Sequence, residues 1–247
     1  MHFHLPKPLH GWREFVGEVG IIVVGVLIAL GAEQAVEALH WHGEAEQARA
    51  ALRSEVRDDD LPQAYTRLAI GPCLDAQLKQ LQDALDSNMD RSRFAALARA
   101  YLPPSRTWDD EAWKAVIATG VLSHSGSEEM IRWSLPYRMI VAIGPRNLAE
   151  QDDRVNLNSI SSAAGTLTAA ERDRVTVALE HLRRDEKGMV NGSKILLAGA
   201  NLAGIPMTRR QEAQVMAELR PQWGKCLTQP RSQQVDVNTQ SEQQFAK

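Results

Sequence analysis

The sequence predicts an all-α protein: an N-terminal transmembrane helix continues into a stalk and is followed by a helical-bundle-like domain. The first observation is a long apolar stretch between Trp12 and Trp41. The second is the recurrence of apolar residues at spacings of three and four in the rest of the chain, typical of amphipathic helices. The third is composition, since only 5% of residues are aromatic and Ala, Leu, Gln, Glu and Arg dominate.

These patterns divide the chain into four parts. Residues 1–11 contain two prolines and are expected to form a short irregular cytoplasmic tail. Residues 12–41 form the transmembrane anchor with its interfacial ends, and residues 42–226 form a helical extracytoplasmic domain. Residues 227–247 are rich in Gln, Ser and Asn, so we expect a disordered tail.

The anchor prediction depends on more than its uncharged core. Val19–Ala32 holds fourteen residues without a charge, which is too short to cross a bilayer. Counting from Phe15 and accepting Glu18 extends the segment to eighteen residues, or about 27 Å of helix, near the hydrocarbon thickness of about 30 Å. Trp12 and Trp41 flank it at a separation suited to the two membrane interfaces. A cleaved signal peptide and a soluble core helix remain open as alternatives.

Basic residues near the two ends of the span predict its orientation. Lys7 and Arg13 lie on the short N-terminal side, whereas the first basic residues after the span are Arg49 and Arg53. Because positive charge is retained in the cytoplasm, this favours a cytoplasmic N-terminus and a periplasmic body. The predicted location is therefore the bacterial inner membrane, with a single crossing.

The helices of the body follow in order from capping residues and apolar periodicity. The stalk continues from the anchor to about Val56, and Leu61-Pro62 is expected to interrupt it. Five further helices are predicted: Leu61 to about Asp86, kinked at Gly71-Pro72; Phe94 to Tyr101; one opening at Thr107 and Asp110; one capped by Ser125 and Glu128 and kinked at Pro136; and Thr168 to about Lys187. Met189–Ala203 is expected to be a core helix, and Thr208 with Gln211 caps a last helix ending near Trp223.

A resemblance is carried by three pieces of the chain. The run GWREFVGEVGIIVVGVLIALGAEQ, together with GPCLDAQL and SRTWDDEAW, resembles a group of uncharacterised bacterial single-pass membrane proteins. The similarity covers about the first 55 residues well and the body in patches. It implies a membrane anchor and a helical extracytoplasmic domain, and it assigns no active site.

The two cysteines, Cys73 and Cys226, are candidates for a disulfide. In a reducing compartment two distant cysteines are most simply buried thiols, whereas in an oxidising one an even pair suggests a bond. The predicted orientation favours the bond, which would tie the last helix to the first helical pair of the body.

One face of the anchor could contact another helix. At 100° per residue, Glu18, Gly25, Ala29 and Ala32 fall within one narrow sector, so small residues and an acid share a side. Small residues let a second helix approach closely, which favours a homo-oligomer or a membrane or periplasmic protein partner in addition to the lipid bilayer. The alternative is that Glu18 only marks the membrane boundary.

The sequence contains no motif that identifies catalysis, a cofactor or a metal site. His40 and His42 point about 200° apart on a helix, and Ser123-His124-Ser125 lacks the spacing of a nucleophile and its base. The acids at 109–111 suit the first turn of a helix. The net charge of −3 argues against nucleic-acid binding.

Two functions of different classes remain. The first is a non-enzymatic module for protein contact or an accessory structural role, and the second is a small-ligand-binding or enzymatic helical domain. A large pocket with converging polar groups would favour the second, and a filled core with an exposed apolar patch would favour the first.

Overall fold

The computed structural model describes residues 11–230, and every regular element in that range is a helix, which confirms the all-α prediction. The predicted tails at 1–10 and 231–247 lie outside the described residues. The main elements are α1 (Trp12–Ser54), a π-helical segment (Glu55–Asp60), α2 (Leu61–Asp86), α3 (Arg91–Ala100), α4 (Glu111–Thr119), α5 (Ser127–Asn158), α6 (Ala169–Leu202) and α7 (Arg209–Trp223). Short 3-10 turns occupy Val121–Ser125 and Gly224–Cys226.

The chain divides into two compact units, Met1–Gln47 and Ala48–Lys247. In the first unit, the N-terminal part of α1 is long and apolar enough to cross a membrane, and none of its most apolar stretch is buried. A membrane anchor and an N-terminal signal sequence share these properties. The helix is unbroken to Ser54, so the predicted continuation beyond the apolar stretch is present.

The interruption predicted at Leu61-Pro62 is not a break. The backbone passes from α1 through the π-helical segment Glu55–Asp60 directly into α2, with Pro62 in its first turn. Proline lacks an N–H and its ring crowds the carbonyl four residues earlier, so an ordinary α-helix is strained there. A π-turn holds one more residue than an α-turn and therefore changes the local pairing without ending the helix.

The second unit is organised around α6, which packs against both α2 and α5. Leu74 and Leu78 of α2 and Leu179 and Leu182 of α6 are completely buried in one hydrophobic core with α3 and the end of α5. Burial of such side chains is the main favourable contribution to folding, at about 1.5–3 kcal/mol for each.

Helix α6 is a single helix where the sequence suggested two segments on either side of residue 188. The glycines in its middle mark close packing against α5. A Cβ at Gly192 would lie 2.7 Å from Cγ1 of Ile143, closer than real Cβ contacts allow. The side chain is missing there because α5 occupies its place, and the helix continues through the glycine.

Two predicted helix starts are confirmed and one is wrong. Thr168 and Thr208 each form a reciprocal capping box, with Glu171 and Gln211 respectively. Ser125 does not cap α5, which begins at Ser127 after Gly126. The Oγ of Ser125 instead accepts a hydrogen bond from Arg49 over 3.1 Å.

The first residues after Cys226 pack against α2 and the hydrophobic core within the second unit. Leu227 is partly buried against the core, and the backbone N–H of Thr228 donates to the carbonyl of Ala69 over 3.1 Å. These contacts bring the segment 227–230, the described part of the predicted tail, alongside α2.

Candidate functional site

An open cleft lies between α2 and α6, with the start of α7 at one end. Its volume is about 780 Å³, within the range of about 300–1,000 Å³ that is usual for small-molecule sites. We call it the α2–α6 cleft. It is lined by Tyr65, Leu68, Gly71, Pro72, Asp75, Glu186, Lys187, Val190, Asn191, Lys194, Leu197, Ala198, Asn201, Pro206, Met207, Arg209, Glu212 and Pro230.

The cleft walls follow from helical periodicity. Tyr65, Leu68 and Pro72 recur on one face of α2, while Val190 and Leu197 recur on one face of α6. These apolar side chains form much of the wall.

Gly71 of α2 lies close to α6 at the cleft. A Cβ at this position would lie 3.2 Å from Cγ2 of Val190 and 3.4 Å from Oε1 of Glu186. The absence of a side chain at Gly71 therefore lets Val190 and the Glu186 carboxylate pack close to α2.

A buried group of charges lies behind this wall. Arg67 of α2 donates from Nη1 to Oε2 of Glu150 on α5 over 2.9 Å, and its Nη2 contacts Oε1 of Glu150 and Oε2 of Glu186. The hydroxyl of Tyr101 donates to Glu150 over 3.1 Å. Arg67, Glu150 and Glu186 are 2%, 0% and 4% exposed, so water does not solvate this group. One cation therefore faces two carboxylates, and ionised Glu186 leaves one negative charge in excess.

Two buried polar atoms at the cleft wall have neither a hydrogen-bond partner nor an ion-pair partner. They are Oη of Tyr65, whose residue is 1% exposed, and Oε1 of Glu186. An unpaired buried polar atom is costly, at roughly 1–3 kcal/mol, so a ligand atom that pairs with it gains affinity. The cleft therefore presents one donor and one carboxylate oxygen for a ligand.

Burial raises the pKa of Glu186 to about 7, opposed by the attraction of Arg67 and assisted by Glu150. Desolvation and the nearby Glu212 raise the pKa of Tyr65 above its usual value, so the Tyr65 hydroxyl keeps its proton at neutral pH. The Glu186 carboxyl can consequently change its charge close to neutral pH.

Charges of both signs surround the cleft opening. Lys187, Lys194 and Arg209 are exposed, as is Asp75, while Glu212 is half-buried. Water and salt screen exposed charges of this kind, so their individual effect on a ligand is weak. Glu186 is the only carboxylate among the residues lining the cleft that is fully buried, and it dominates the electrostatics inside.

A second buried acid lies in the π-helical segment. Asp60 is completely buried, neither of its carboxylate oxygens has a hydrogen-bond partner, and burial followed by repulsion from Glu55 and Asp59 raises its pKa to about 8. Glu55 itself accepts a hydrogen bond from Tyr137 over 2.7 Å. Asp60 is absent from the wall of the α2–α6 cleft.

The predicted cysteine pair comes together. The Sγ atoms of Cys73 and Cys226 are 2.03 Å apart, at disulfide distance, across 153 residues of sequence. Cys73 is buried beside the cleft residue Pro72, whereas Cys226 is exposed. The pair holds the last turn against α2, and Pro230 beyond it contributes to the cleft wall.

The residues predicted for contact between anchor helices all lie on α1. Glu18, Gly25, Ala29 and Ala32 are exposed, and a Cβ at Gly25 would meet no atom within 4 Å. They are separate from the cleft, which contains none of them. Between residues 11 and 230, no group of three or more His, Cys, Asp or Glu is arranged to hold a metal ion.

Sequence reasoning missed Arg67, Glu150 and Glu186, although Arg67 and Glu186 each carry a detectable signal. Arg67 shares its helical stripe with Ile70 and Leu74, because offsets of three and seven return to the same face. Glu186 follows Leu182 by four residues and precedes Met189 by three. A charged residue on an apolar stripe indicates a buried charge, but a single helix does not show which partner meets it.

No family model, curated protein or solved structure significantly matches this chain. The α2–α6 cleft is therefore interpreted from its own geometry and chemistry.

Proposed function

We propose that this protein is a membrane-anchored, small-ligand-binding helical domain and that the α2–α6 cleft is its binding site. The observation that carries the proposal is an open cleft of about 780 Å³ with two buried, unpartnered polar atoms, Tyr65 Oη and Glu186 Oε1, at its wall. Apolar walls with a few convergent polar groups are typical of ligand sites. Of the two functions that the sequence left open, this geometry favours the ligand-binding one.

The cleft also suggests the kind of ligand. Leu68, Val190, Leu197 and Met207 are partly exposed to its interior, so an apolar body would replace water against them. The polar atoms would then orient one end of the molecule. A small amphiphile, with an apolar body and one polar end, matches this arrangement of the cleft.

A periplasmic body held at the membrane would take up such an amphiphile from the cell envelope. The apolar part of α1 supports a membrane anchor, and the charge bias of Lys7 and Arg13 against Arg49 and Arg53 favours a periplasmic body. A cysteine pair at bonding distance is compatible with that oxidising compartment. An alkaline phosphatase fusion after Lys247 should be active in intact bacteria, and an inactive but full-length fusion would contradict the proposed topology.

Binding can be tested with the full chain in lipid nanodiscs by ligand-observed NMR. The probes are hexan-1-ol and hexylammonium, which share one apolar body and dissolve in water. We expect saturation transfer from the protein to at least one probe, beyond that seen with empty nanodiscs.

Ala198→Trp provides the cleft-blocking variant, and Ile195→Trp is its matched control. Ala198 lines the cleft, whereas Ile195 is 44% exposed and lies elsewhere on the same helix. We expect Ala198→Trp to abolish the signal and Ile195→Trp to retain it. The absence of any protein-dependent signal, or an equal signal in both variants, would refute binding in the cleft.

A protein-contact module, the other function left open by the sequence, rests on the face of α1 that carries Gly25 and Ala29. It makes no use of the cleft, so the two functions are compatible in one chain. Association of anchor variants in a membrane tests the protein-contact function independently of the cleft.

A further inference from the structure

We propose that the ligand of the α2–α6 cleft carries a protonated amine and that this ammonium group binds the buried carboxylate of Glu186. The inference rests on the proposed function and narrows its ligand to cationic amphiphiles. It follows from the geometry of the buried charges and from the two polar atoms that lack partners.

The first step is the charge balance. Arg67 supplies one positive charge, and Glu150 and Glu186 supply two carboxylates that both contact it. Glu150 is fully satisfied by Arg67 and by the Tyr101 hydroxyl. Ionised Glu186 therefore carries the charge that the protein leaves unbalanced, and a buried charge is stable only when another charge meets it.

The second step is access. Arg67 contacts only Oε2 of Glu186, whereas Oε1 has neither a hydrogen bond nor an ion pair, and Glu186 lines the cleft. Gly71 carries no side chain beside that oxygen, where a Cβ would lie 3.4 Å from Oε1 and 3.2 Å from Cγ2 of Val190. Oε1 is itself buried, so a ligand ammonium reaches it when the Val190 side chain shifts, while Arg67 stays in place on Oε2.

The third step concerns the hydrogen bonds that such a group makes. An ammonium has three N–H donors, and a carboxylate oxygen and a phenol oxygen can both accept from it. Oη of Tyr65 is the other unpartnered atom of the same cleft. A carboxylate or phosphate ligand would instead meet the excess negative charge of Glu186 at close range and be repelled.

Ligand binding is then coupled to release of a proton. Burial holds the pKa of Glu186 at about 7, so part of the unliganded protein carries a neutral carboxyl. An ammonium favours the ionised form of Glu186, and the proton leaves to solvent as the cation binds.

Charged and titratable groups surround this site on every helix packed against it. They are Arg67, Asp75 and Tyr65 on α2, Tyr101 after α3, Glu150 on α5, Asp185 and Lys187 beside Glu186, Lys194 further along α6, and Arg209 and Glu212 on α7.

The test compares hexylammonium with hexan-1-ol on the full chain in lipid nanodiscs at pH 8, with dissociation constants from NMR titration. We expect hexylammonium to bind about tenfold or more tightly than hexan-1-ol, because a buried hydrogen bond between charged groups is stronger than one made by a neutral hydroxyl. Glu186→Gln should remove this preference and leave hexan-1-ol binding within twofold. Glu180→Gln, which removes an exposed carboxylate from α6 outside the cleft, is the matched control and should keep the preference.

Failure of this inference is distinguishable from failure of the proposed function. If both probes bind equally and Ala198→Trp blocks both, the cleft binds ligands but the assignment of an ammonium is wrong. Equal losses in Glu186→Gln and Glu180→Gln would also overturn the assignment to Glu186. If neither probe binds, both proposals fail.

The wild-type protein provides a second measurement that needs no variant of Glu186. Hexylammonium keeps its charge between pH 5 and 8 because amines of this type titrate near pH 10. Its affinity should fall by up to about tenfold for each pH unit below 7, as Glu186 gains a proton, while hexan-1-ol binding should stay within twofold. A hexylammonium affinity that is constant over this range would overturn the proposal.

Discussion

Arg67 on α2 and Glu150 on α5 form a completely buried ion pair, with Nη1 of the guanidinium 2.9 Å from Oε2 of the carboxylate. The two residues are 83 positions apart in sequence. Glu186 on α6 contacts the same guanidinium, so one arginine joins the three longest helices of the second unit. This arrangement both links the helices and leaves a carboxylate oxygen of Glu186 at the cleft.

Glu150→Ala should destabilise the protein strongly. The variant would leave Arg67 as a buried cation with only Glu186 to pair it, and the hydroxyl of Tyr101 without its acceptor. Nη1 of Arg67 and the hydroxyl of Tyr101 would both lose their acceptor, and each buried donor left unpaired costs roughly 1–3 kcal/mol. Urea unfolding followed by far-ultraviolet circular dichroism measures the loss. Glu180→Ala, at an exposed position of α6, is the control and should change stability by less than about 0.5 kcal/mol.

The helix starts show which parts of the fold were readable from sequence. Thr168 with Glu171 and Thr208 with Gln211 form the predicted capping boxes because both partners lie within one turn. The same pattern at Ser125 fails because a tertiary partner, Arg49, takes its hydroxyl. Local chemistry therefore determined two helix starts, and a contact across 76 residues overrode the third.

The α2–α6 cleft shows why the candidate site could not be predicted from the sequence. The polar residues of α2 and α6 are visible in the sequence, but the space between them depends on how closely the two helices approach. Gly71 and Gly192 determine contacts with Val190 and Ile143 respectively. Glycine in a helical pattern is ordinarily a sign of a break, so periodicity alone does not reveal that these two positions fix helix packing.

The pH dependence of stability should be set in part by Asp60. Its pKa is raised to about 8 in the folded state by burial, and its ordinary value is 3.8. Between these two values the folded state binds more protons than the unfolded state, so the free energy of unfolding falls as pH rises. We expect wild-type stability to decline from about pH 4 to pH 8.

Asp60→Asn removes this contribution. We expect the variant to be more stable than the wild type at pH 8, on the order of 2 kcal/mol, with the difference shrinking toward pH 4. Thermal unfolding at a series of pH values measures it. Asp83→Asn, at an exposed site of α2, should follow the wild-type pH profile. A difference between Asp60→Asn and the wild type that does not vary with pH would contradict the linkage.

We predict that Cys73 and Cys226 form a disulfide bond. Reduction of the intact chain should raise its mass by two hydrogens, and it should lower the free energy of unfolding by up to about 5 kcal/mol, since the closed loop is long. Intact-mass spectrometry and urea unfolding with and without reductant provide the two readouts. The double variant Cys73→Ser, Cys226→Ser should be insensitive to reductant. An unchanged mass after reduction would show that the two thiols are not bonded.

The last prediction concerns contact between anchor helices. Gly25 and Ala29 lie within about 40° of one another on α1, and both are exposed. Leucine at either position would keep a membrane helix apolar while preventing close approach of a second helix. We therefore expect Gly25→Leu and Ala29→Leu to weaken association in a membrane two-hybrid assay.

The matched control for this test is Val23→Leu, about 160° from Gly25 around the helix. It adds bulk to the same apolar segment but on the other side, so the association signal should be retained. Membrane insertion should be equal in all three variants, because each substitution keeps the segment apolar. An association signal that is the same for Gly25→Leu, Ala29→Leu and the wild type would refute contact through this face. The small side chains would then serve the bilayer crossing alone, and function would be left to the cleft in the second unit.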